Sequence, residues 1–446
     1  MESKDTRRSF LKKTALAAGA VTYAMTAKSY ANILGANDRI RVAMIGCNRR
    51  FNGLAPAVGR MKNAEISYVC DVDARRQEKA VGKVKEWTGT APKAEKDLRK
   101  ILEDQQVDAI FNATPDHWHA AGAWLAMQAG KHVYLEKPSH HNPKEGELLM
   151  AYQEKFNRLV QVGNQQRSSA QSQEVIKAIH DGEIGRAYHA VAFYSNKRGR
   201  VPNPQEVDVP EWLDWELFQG PAPRRPYLDV LGDYNWHWFW HWGTAETGNN
   251  ALHELDIARW ALQVEYPNEV KVFAAKQHFQ DDGWTMYDTM DANFTFEGEK
   301  TIKWDGKSRN GFGTYKAGRG TIIYGTEGTV WMDRGGYKMY DRSGKLVNEA
   351  KMNGNEGGTN LGGGGDLTTR HVRNFFESIR GKEKLNSPIT EGAVSTQLCH
   401  YANISYRLGN AALEIDPQTG HFAKGKVMKQ YWGRDYEKGW EPPRIS

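Results

Sequence analysis

RVAMIGCNRRFNG, Arg41 to Gly53, is a short apolar strand run into a glycine and then into a helix-compatible stretch from Leu54. That arrangement suits a dinucleotide pyrophosphate. The turn glycine lets the backbone come close, and the helix start offers free N–H groups and a positive dipole. Only Gly46 of the usual three glycines is present. Asn48 stands at the second position, and asparagine is the best non-glycine for a left-handed backbone. Phe51 stands at the third, which a helix beginning nearer Gly53 would accommodate. Outward from this loop, ISYVCDVD (Ile66 to Asp73) reads as a second strand ending in acids. Asp71 falls where a carboxylate accepts hydrogen bonds from adenosine ribose hydroxyls and repels a 2′-phosphate. NAD is therefore the expected cofactor, with NADP kept as the alternative by Arg75 and Arg76.

The pattern continues as strand and helix in alternation. VDAIFNATP (Val107 to Pro115), KHVYLEKP (Lys131 to Pro138) and LVQVGN (Leu159 to Asn164) read as further strands. Asp116 is expected to cap the helix that Gly130 ends, and another helix is expected over Pro143 to Asn157. Such alternation predicts a parallel, doubly wound sheet covered on both faces. After about Gly185 the character changes. RAYHAVAFYSN, EVKVFAAKQHF, DANFTFEGEKTIKWDG, RGTIIYGTEGTVWMDR and YKMYDRSGKLV read as mainly antiparallel strands, and LGGGGD (Leu361 to Asp366) as a loop before a late helix.

The chain opens with TRRSFLKK (Thr6 to Lys13), a modest apolar run to Ala27, and Ser29-Tyr30-Ala31. Paired arginines, a run too short to span a bilayer and a small-residue end read as a twin-arginine export signal. The expected organisation is a leader at 1–31, a dinucleotide-binding domain at 38–162 and an α+β domain at 163–446 that binds substrate and builds oligomers. The 446 residues are 39% hydrophobic and 26% charged, an ordinary globular balance. Net charge is +6, partly in the leader, with no basic block of the kind that nucleic-acid binders carry. Cys47, Cys70 and Cys399 form no disulfide framework or metal-ligand pattern, and the first two read as small core residues.

ATPDHWHA (Ala113 to Ala120), KHVYLEKP and CDVD together resemble the Gfo/Idh/MocA oxidoreductases, and YNWHWFWHWG (Tyr234 to Gly243) and GNNALHELDIARWAL (Gly248 to Leu262) resemble an exported bacterial branch of them. The resemblance implies an α/β Rossmann domain followed by an α+β domain with a large open sheet, often a dimer or tetramer interface. It places the family's Glu-Lys-Pro at Glu136, Lys137 and Pro138, with a cis bond at the proline. It also places the catalytic histidine at His253 and puts Asn249 where polyol dehydrogenases have aspartate. The cofactor residues it suggests are Gly46, Asn48, Arg49, Arg50, Asp71, Thr114, Pro115, His119, Glu136, Lys137 and Gln165. Lys137, at the carboxyl end of a parallel strand, is placed to act as a desolvated proton partner. Asp256, three residues after His253, would orient its imidazole if both share a helix face. Lys137, His253 and Asp256 are the catalytic candidates, and Asn249, His253, Trp238 and Tyr227 the substrate candidates.

Trp236, Trp238, Trp240 and Trp242 share one face if that segment is extended, with His237 and His241 on the other. Such a face suits sugar rings or core packing. The pairs His117/His119 and His237/His241 lack a third ligand at recognisable spacing, so no metal is expected. Export to a periplasm poor in free nicotinamide predicts a tightly held cofactor that is reset within each cycle. The expected function is oxidation of a sugar, polyol or glycoside hydroxyl. The alternatives are an NAD-dependent glycosidase or lyase acting by transient oxidation and elimination, and a non-catalytic sugar-binding scaffold. Retention of Glu-Lys-Pro, which those glycosidases replace, favours the first.

Overall fold

The computed structural model describes residues 39–232, 234–351, 366–423 and 430–444. The leader at 1–31 and the glycine run from Leu361 lie outside them.

The first sheet is parallel and six-stranded, in the order β3-β2-β1-β4-β5-β6. Its strands are β1 (Ile40–Ile45), β2 (Ala64–Cys70), β3 (Lys93–Glu95), β4 (Ala109–Asn112), β5 (His132–Leu135) and β6 (Val160–Val162). Near-continuous burial along β1, β4 and β5 is what a sheet covered on both faces requires. Helices α1 (Phe51–Gly59), α2 (Ala74–Thr88), α3 (Leu98–Leu102), α4 (Asp116–Gln128) and α5 (Pro143–Phe156) make the crossovers. Strand order reverses between β1 and β4, and a ligand crevice opens there at the strands' carboxyl ends.

Local chemistry sets the helix ends, with two departures from expectation. Asp73 caps α2 through the Arg75 and Arg76 amides, and Asn142 caps α5 through the Glu145 amide. Asp116 does not cap α4; its carboxylate accepts from the amide and hydroxyl of Thr244, at 3.1 and 2.6 Å. Helix α1 begins at Phe51, ahead of Gly53, and Phe51 turns into the core beside Leu54 and Phe111, stacked near Trp87.

The second sheet has nine strands, β14-β13-β12-β11-β7-β10-β9-β8-β15, antiparallel except where β7 meets β10. It comprises β7 (Ala187–Ser195), β8 (Glu269–Ala275), β9 (Thr289–Phe296), β10 (Lys300–Lys307), β11 (Arg319–Gly325), β12 (Gly328–Asp333), β13 (Gly336–Asp341), β14 (Leu346–Lys351) and β15 (Leu413–Glu414). Alternating burial along β8 and β9 marks one covered face. On that face pack α6 (Ala170–His180), α8 (Leu252–Leu262) and α10 (Ile389–Arg407), joined with the sheet in one apolar core. Short helix α7 (Trp215–Gln219) lies in the long connection after β7.

Packing crosses the expected boundary at 162/163. Helix α9 (Asp366–Ile379) returns to the first sheet, where Val372, Phe375 and Phe376 join Phe51, Phe111 and Tyr134 in one core. Among the described residues no helix is long and apolar enough to cross a membrane.

Candidate active site

A cavity of about 700 Å³ opens at the switch point and runs between the two sheets' domains. Gly46, Asn48, Arg49, Arg50, Asp71, Thr114, Pro115, His119, Glu136, Lys137, Asn249 and Tyr227 all line it. Its size falls within the ordinary range for small-ligand and cofactor pockets.

Gly46 is needed where it stands. Its φ is +86°, and a Cβ there would meet the Ala113 carbonyl oxygen at 2.5 Å. The two strand ends therefore approach closely enough to shape a phosphate cradle. No side chain caps the first turn of α1, and Phe51 points away, so the helix start is open to an anion. Asp71 accepts from the Cys47 amide at 2.7 Å and the Asp73 amide at 2.9 Å. Burial raises its pKa, against the pull of those amides. Two of the carboxylate's roughly four lone-pair sites are thus used in shaping the loop, and others stay free for hydroxyl donors. Arg75 and Arg76 both pair with Asp73, and Arg75 lies 3.3 Å from the Trp212 ring centroid. These features fit a dinucleotide with free ribose hydroxyls. The glycine cradle, the open helix start and Asp71 would hold it, and its nicotinamide would supply a hydride acceptor.

At the other end, Lys137 follows β5 and its Nζ donates to the Asn249 carbonyl at 2.7 Å. Asn249 lies in a π-helical turn, Thr247–Ala251, that widens the start of α8, a distortion frequent at functional sites. The Asn249 amide is held by Tyr234 at 2.8 Å and Glu246 at 3.1 Å, and Arg198 pairs with Glu246 at 2.7 Å. Burial pushes the Lys137 ammonium below the ordinary lysine pKa, against the pull of Glu136 and Asp116. Burial would raise the Glu136 carboxyl, but the Arg50 guanidinium, 2.5 Å away, outweighs it and holds it low. His119 bridges the Pro138 and Thr114 carbonyls at 2.6 and 2.8 Å, tying two strand ends together. The peptide between Lys137 and Pro138 is cis.

Several sequence expectations move. Asp256 does not orient His253. It takes a bidentate pair from Arg167 and a hydrogen bond from Ser395 at 2.6 Å, all deep in the core. Nearest neighbours on a helix face still diverge when one finds a stronger partner. His253 is buried outside the cavity lining, and burial with the charges of Arg334 and Lys137 holds its pKa well below the ordinary value. Gln165 sits behind Glu136, donating to it at 3.1 Å, and does not line the cavity. Trp238 is 2% exposed and stacks on Trp284 at 3.9 Å. The segment from Asn235 to Trp238 is a 3-10 turn, so the tryptophans fan out, and Trp236 reaches the cavity instead. Tyr227 lies at the Asp71 end, edge-on to Trp215, far from the substrate role expected of it.

The histidines of the two pairs contact main-chain carbonyls. His117 meets the Phe218 carbonyl, His237 the Tyr234 carbonyl and His241 the Pro223 carbonyl. Among the described residues no group of three or more His, Cys, Asp or Glu is placed to hold a metal.

The sequence reading missed how the cavity is closed. The connection between β7 and α8 crosses back over the first domain. Leu213 bridges Asp73, the Ala74 amide donates to the Trp212 carbonyl and the Asp214 amide to the Val72 carbonyl, each at 2.9 Å. Lys96 pairs with Asp214, and Trp118 donates to the Phe218 carbonyl. Trp212, Leu213, Trp215 and Tyr227 thereby wall the Asp71 end of the cavity. Only the density of aromatics in PEWLDWELFQG hinted at this strap.

A parallel sheet with a glycine cradle at its switch point is the arrangement of a dinucleotide-binding fold. Residues 40–164 match the Gfo/Idh/MocA model, described as an oxidoreductase family with an NAD-binding Rossmann fold. The match spans the first sheet and its helices. A glycosyl hydrolase family 109 protein of Saccharopolyspora erythraea is 27% identical over 44% of this chain and 45% of its own. Inositol 2-dehydrogenase 4 of the same organism is 29% identical over 34% of this chain and 44% of its own. The chain thus spans under half the length of the curated relatives it matches. Among solved structures, the WlbA dehydrogenase of Bordetella pertussis, in complex with NADH and UDP-GlcNAcA, superposes with a TM-score of 0.62 at 20% identity. That likeness covers 85% of this chain and 98% of the other, and extends the shared fold through the second domain.

Proposed function

We propose that this protein is an exported, periplasmic NAD-dependent oxidoreductase that acts on a hydroxyl of a sugar, polyol or glycoside and keeps its cofactor tightly bound. The observation that carries this reading is the single cavity holding Gly46 and Asp71 at one end and Lys137 with Asn249 at the other. Asp71, with Arg75 and Arg76 paired to Asp73, supports NAD over NADP. A substrate hydroxyl beside Lys137 Nζ would give up its proton there, since a buried lysine of lowered pKa is the available acceptor. The Asn249 carbonyl accepts a hydrogen bond from that nitrogen and orients it, and Tyr234 with Glu246 keeps Asn249 in register. His253, four residues after Asn249, lies outside the cavity lining and is held neutral by burial and by the charges of Arg334 and Lys137, so the proton role falls to Lys137. The strap supports tight retention, which export would demand. We further propose a homo-oligomer, built on the open face of the second sheet, where Phe273 is 60% exposed.

The family 109 match favours a second reading, an NAD-dependent glycosidase or lyase, which shares the oxidation step. A panel of sugars, polyols and aryl glycosides separates the two. Cofactor reduction without release of the aglycone supports the oxidoreductase. Aglycone release with no net reduction supports the glycosidase, and neither signal overturns both.

A further inference from the structure

A second cavity, of about 410 Å³, lies behind the aromatic turn that lines the first. Tyr234 to His237 face one cavity, and Trp240, His241, Gly243 and Thr244 face the other. Three arginines from separate parts of the chain, Arg225, Arg407 and Arg434, converge on it. Arg407 is clamped between aromatic rings, 5.1 Å from Trp240 and 4.2 Å from Tyr431. That packing fixes the guanidinium before any ligand arrives.

Three residues of these walls, His141 through its Nε2, Asn142 and Arg434, carry buried polar atoms left unserved among the described residues. Asn142 is 5% exposed and caps α5 with its oxygen, while its Nδ2 has no partner. Arg434 gives one nitrogen to the His117 carbonyl and to Glu145, at 2.7 and 2.8 Å, while its buried Nε and Nη1 have none. A buried donor without an acceptor costs about 1–3 kcal/mol, more for a charged group. Unserved donors on two different elements of one cavity therefore point to an acceptor that belongs between them.

The charge balance gives the sign of that acceptor. Glu145, behind Arg434, and Asp435 are the acids nearby, against three guanidinium groups. His141 lies well below its ordinary pKa and His241 and His400 are pushed down to about 4, all chiefly by burial, so they add no charge at neutral pH. Arginine forks match carboxylate and phosphoryl oxygens in geometry as well as charge. The volume leaves room for a small organic body against Trp240 and Tyr431.

We propose that this cavity binds a small organic oxyanion, a sugar-sized molecule that bears a carboxylate or a phosphoryl group. The site is separate from the cofactor cavity and does not depend on the oxidoreductase reading. The test is calorimetric titration of the full-length protein with glucuronate, glucose 6-phosphate, inorganic phosphate and neutral glucose. Glucuronate or glucose 6-phosphate should bind while glucose does not, and the one that binds identifies carboxylate or phosphoryl as the recognised group; binding of inorganic phosphate alone overturns the organic ligand. Arg434→Met and Arg407→Gln should each weaken that binding about tenfold or more, as loss of a charge-assisted pair does. Arg434 also neutralises buried Glu145, so Arg407→Gln, which leaves that pair intact, guards against a folding artefact. Lys137→Met should leave the affinity unchanged. Failure of all the anions to bind overturns the proposal. So does binding that ignores Arg407→Gln, or that Lys137→Met abolishes.

Discussion

The two ends of the main cavity are built from different materials. At the Asp71 end, backbone hydrogen bonds stitch the strap to the first domain, and Trp212, Trp215 and Tyr227 form a wall. At the Lys137 end, charged and amide side chains from both domains hold one another: Arg50 with Glu136, Arg198 with Glu246, and Lys137 with Asn249. Backbone stitching gives retention and tolerates side-chain change. A side-chain network gives reactivity and fails when any one member is lost, because the partner is then buried alone. The strapped end is suited to keeping a cofactor and the networked end to using it.

The sharpest way to break this contrast is at Lys137. Lys137→Met should lower turnover by about 10²–10⁴-fold, the usual worth of a positioned proton acceptor, with cofactor content unchanged. Retained activity would remove Lys137 from the reaction. If Lys137 is the proton acceptor, it must be the neutral amine, so activity should rise with pH. Because burial depresses the pKa, the rise should level off below the ordinary lysine value of about 10.4. An inflection at or above that value would contradict the desolvated lysine.

The next largest effect separates Asp256 from the chemistry. Arg167→Met leaves the Asp256 carboxylate buried without its charge partner and should cost about 3–5 kcal/mol of stability in a denaturant titration. A stable, inactive variant would instead return Asp256 to a catalytic role.

Smaller effects belong to the strapped end. Gly46→Ala forces a left-handed backbone and a clash on Ala113, so cofactor content should fall about tenfold with turnover per bound cofactor preserved. Trp212→Ala removes one wall and the contact with Arg75, worth about 0.5–2 kcal/mol, and should speed cofactor release severalfold. Release unchanged by Trp212→Ala would mean that the strap is packing alone.

Which parts were legible in the sequence follows from how far away each residue finds its partner. Gly46, Asp71 and Lys137 are strand-end residues, and strand periodicity with a turn glycine places them from local signals. Asp256 was misread because its partners, Arg167 and Ser395, come from distant segments, and spacing on one helix reports only proximity. Asp116 looked like a cap for the same reason, while its acceptor atoms serve Thr244. Trp238 was misplaced because alternation predicts a strand where the chain makes a 3-10 turn. The return of α9 to the first sheet carries no local mark, since an amphipathic helix does not name the face that will cover it.

The most direct test is the nicotinamide content of the full-length protein, purified without added cofactor and read by mass spectrometry of a denatured extract. The account predicts NAD or NADH at about one per chain. A protein that folds and carries no nicotinamide, and takes up none when it is supplied, would contradict it.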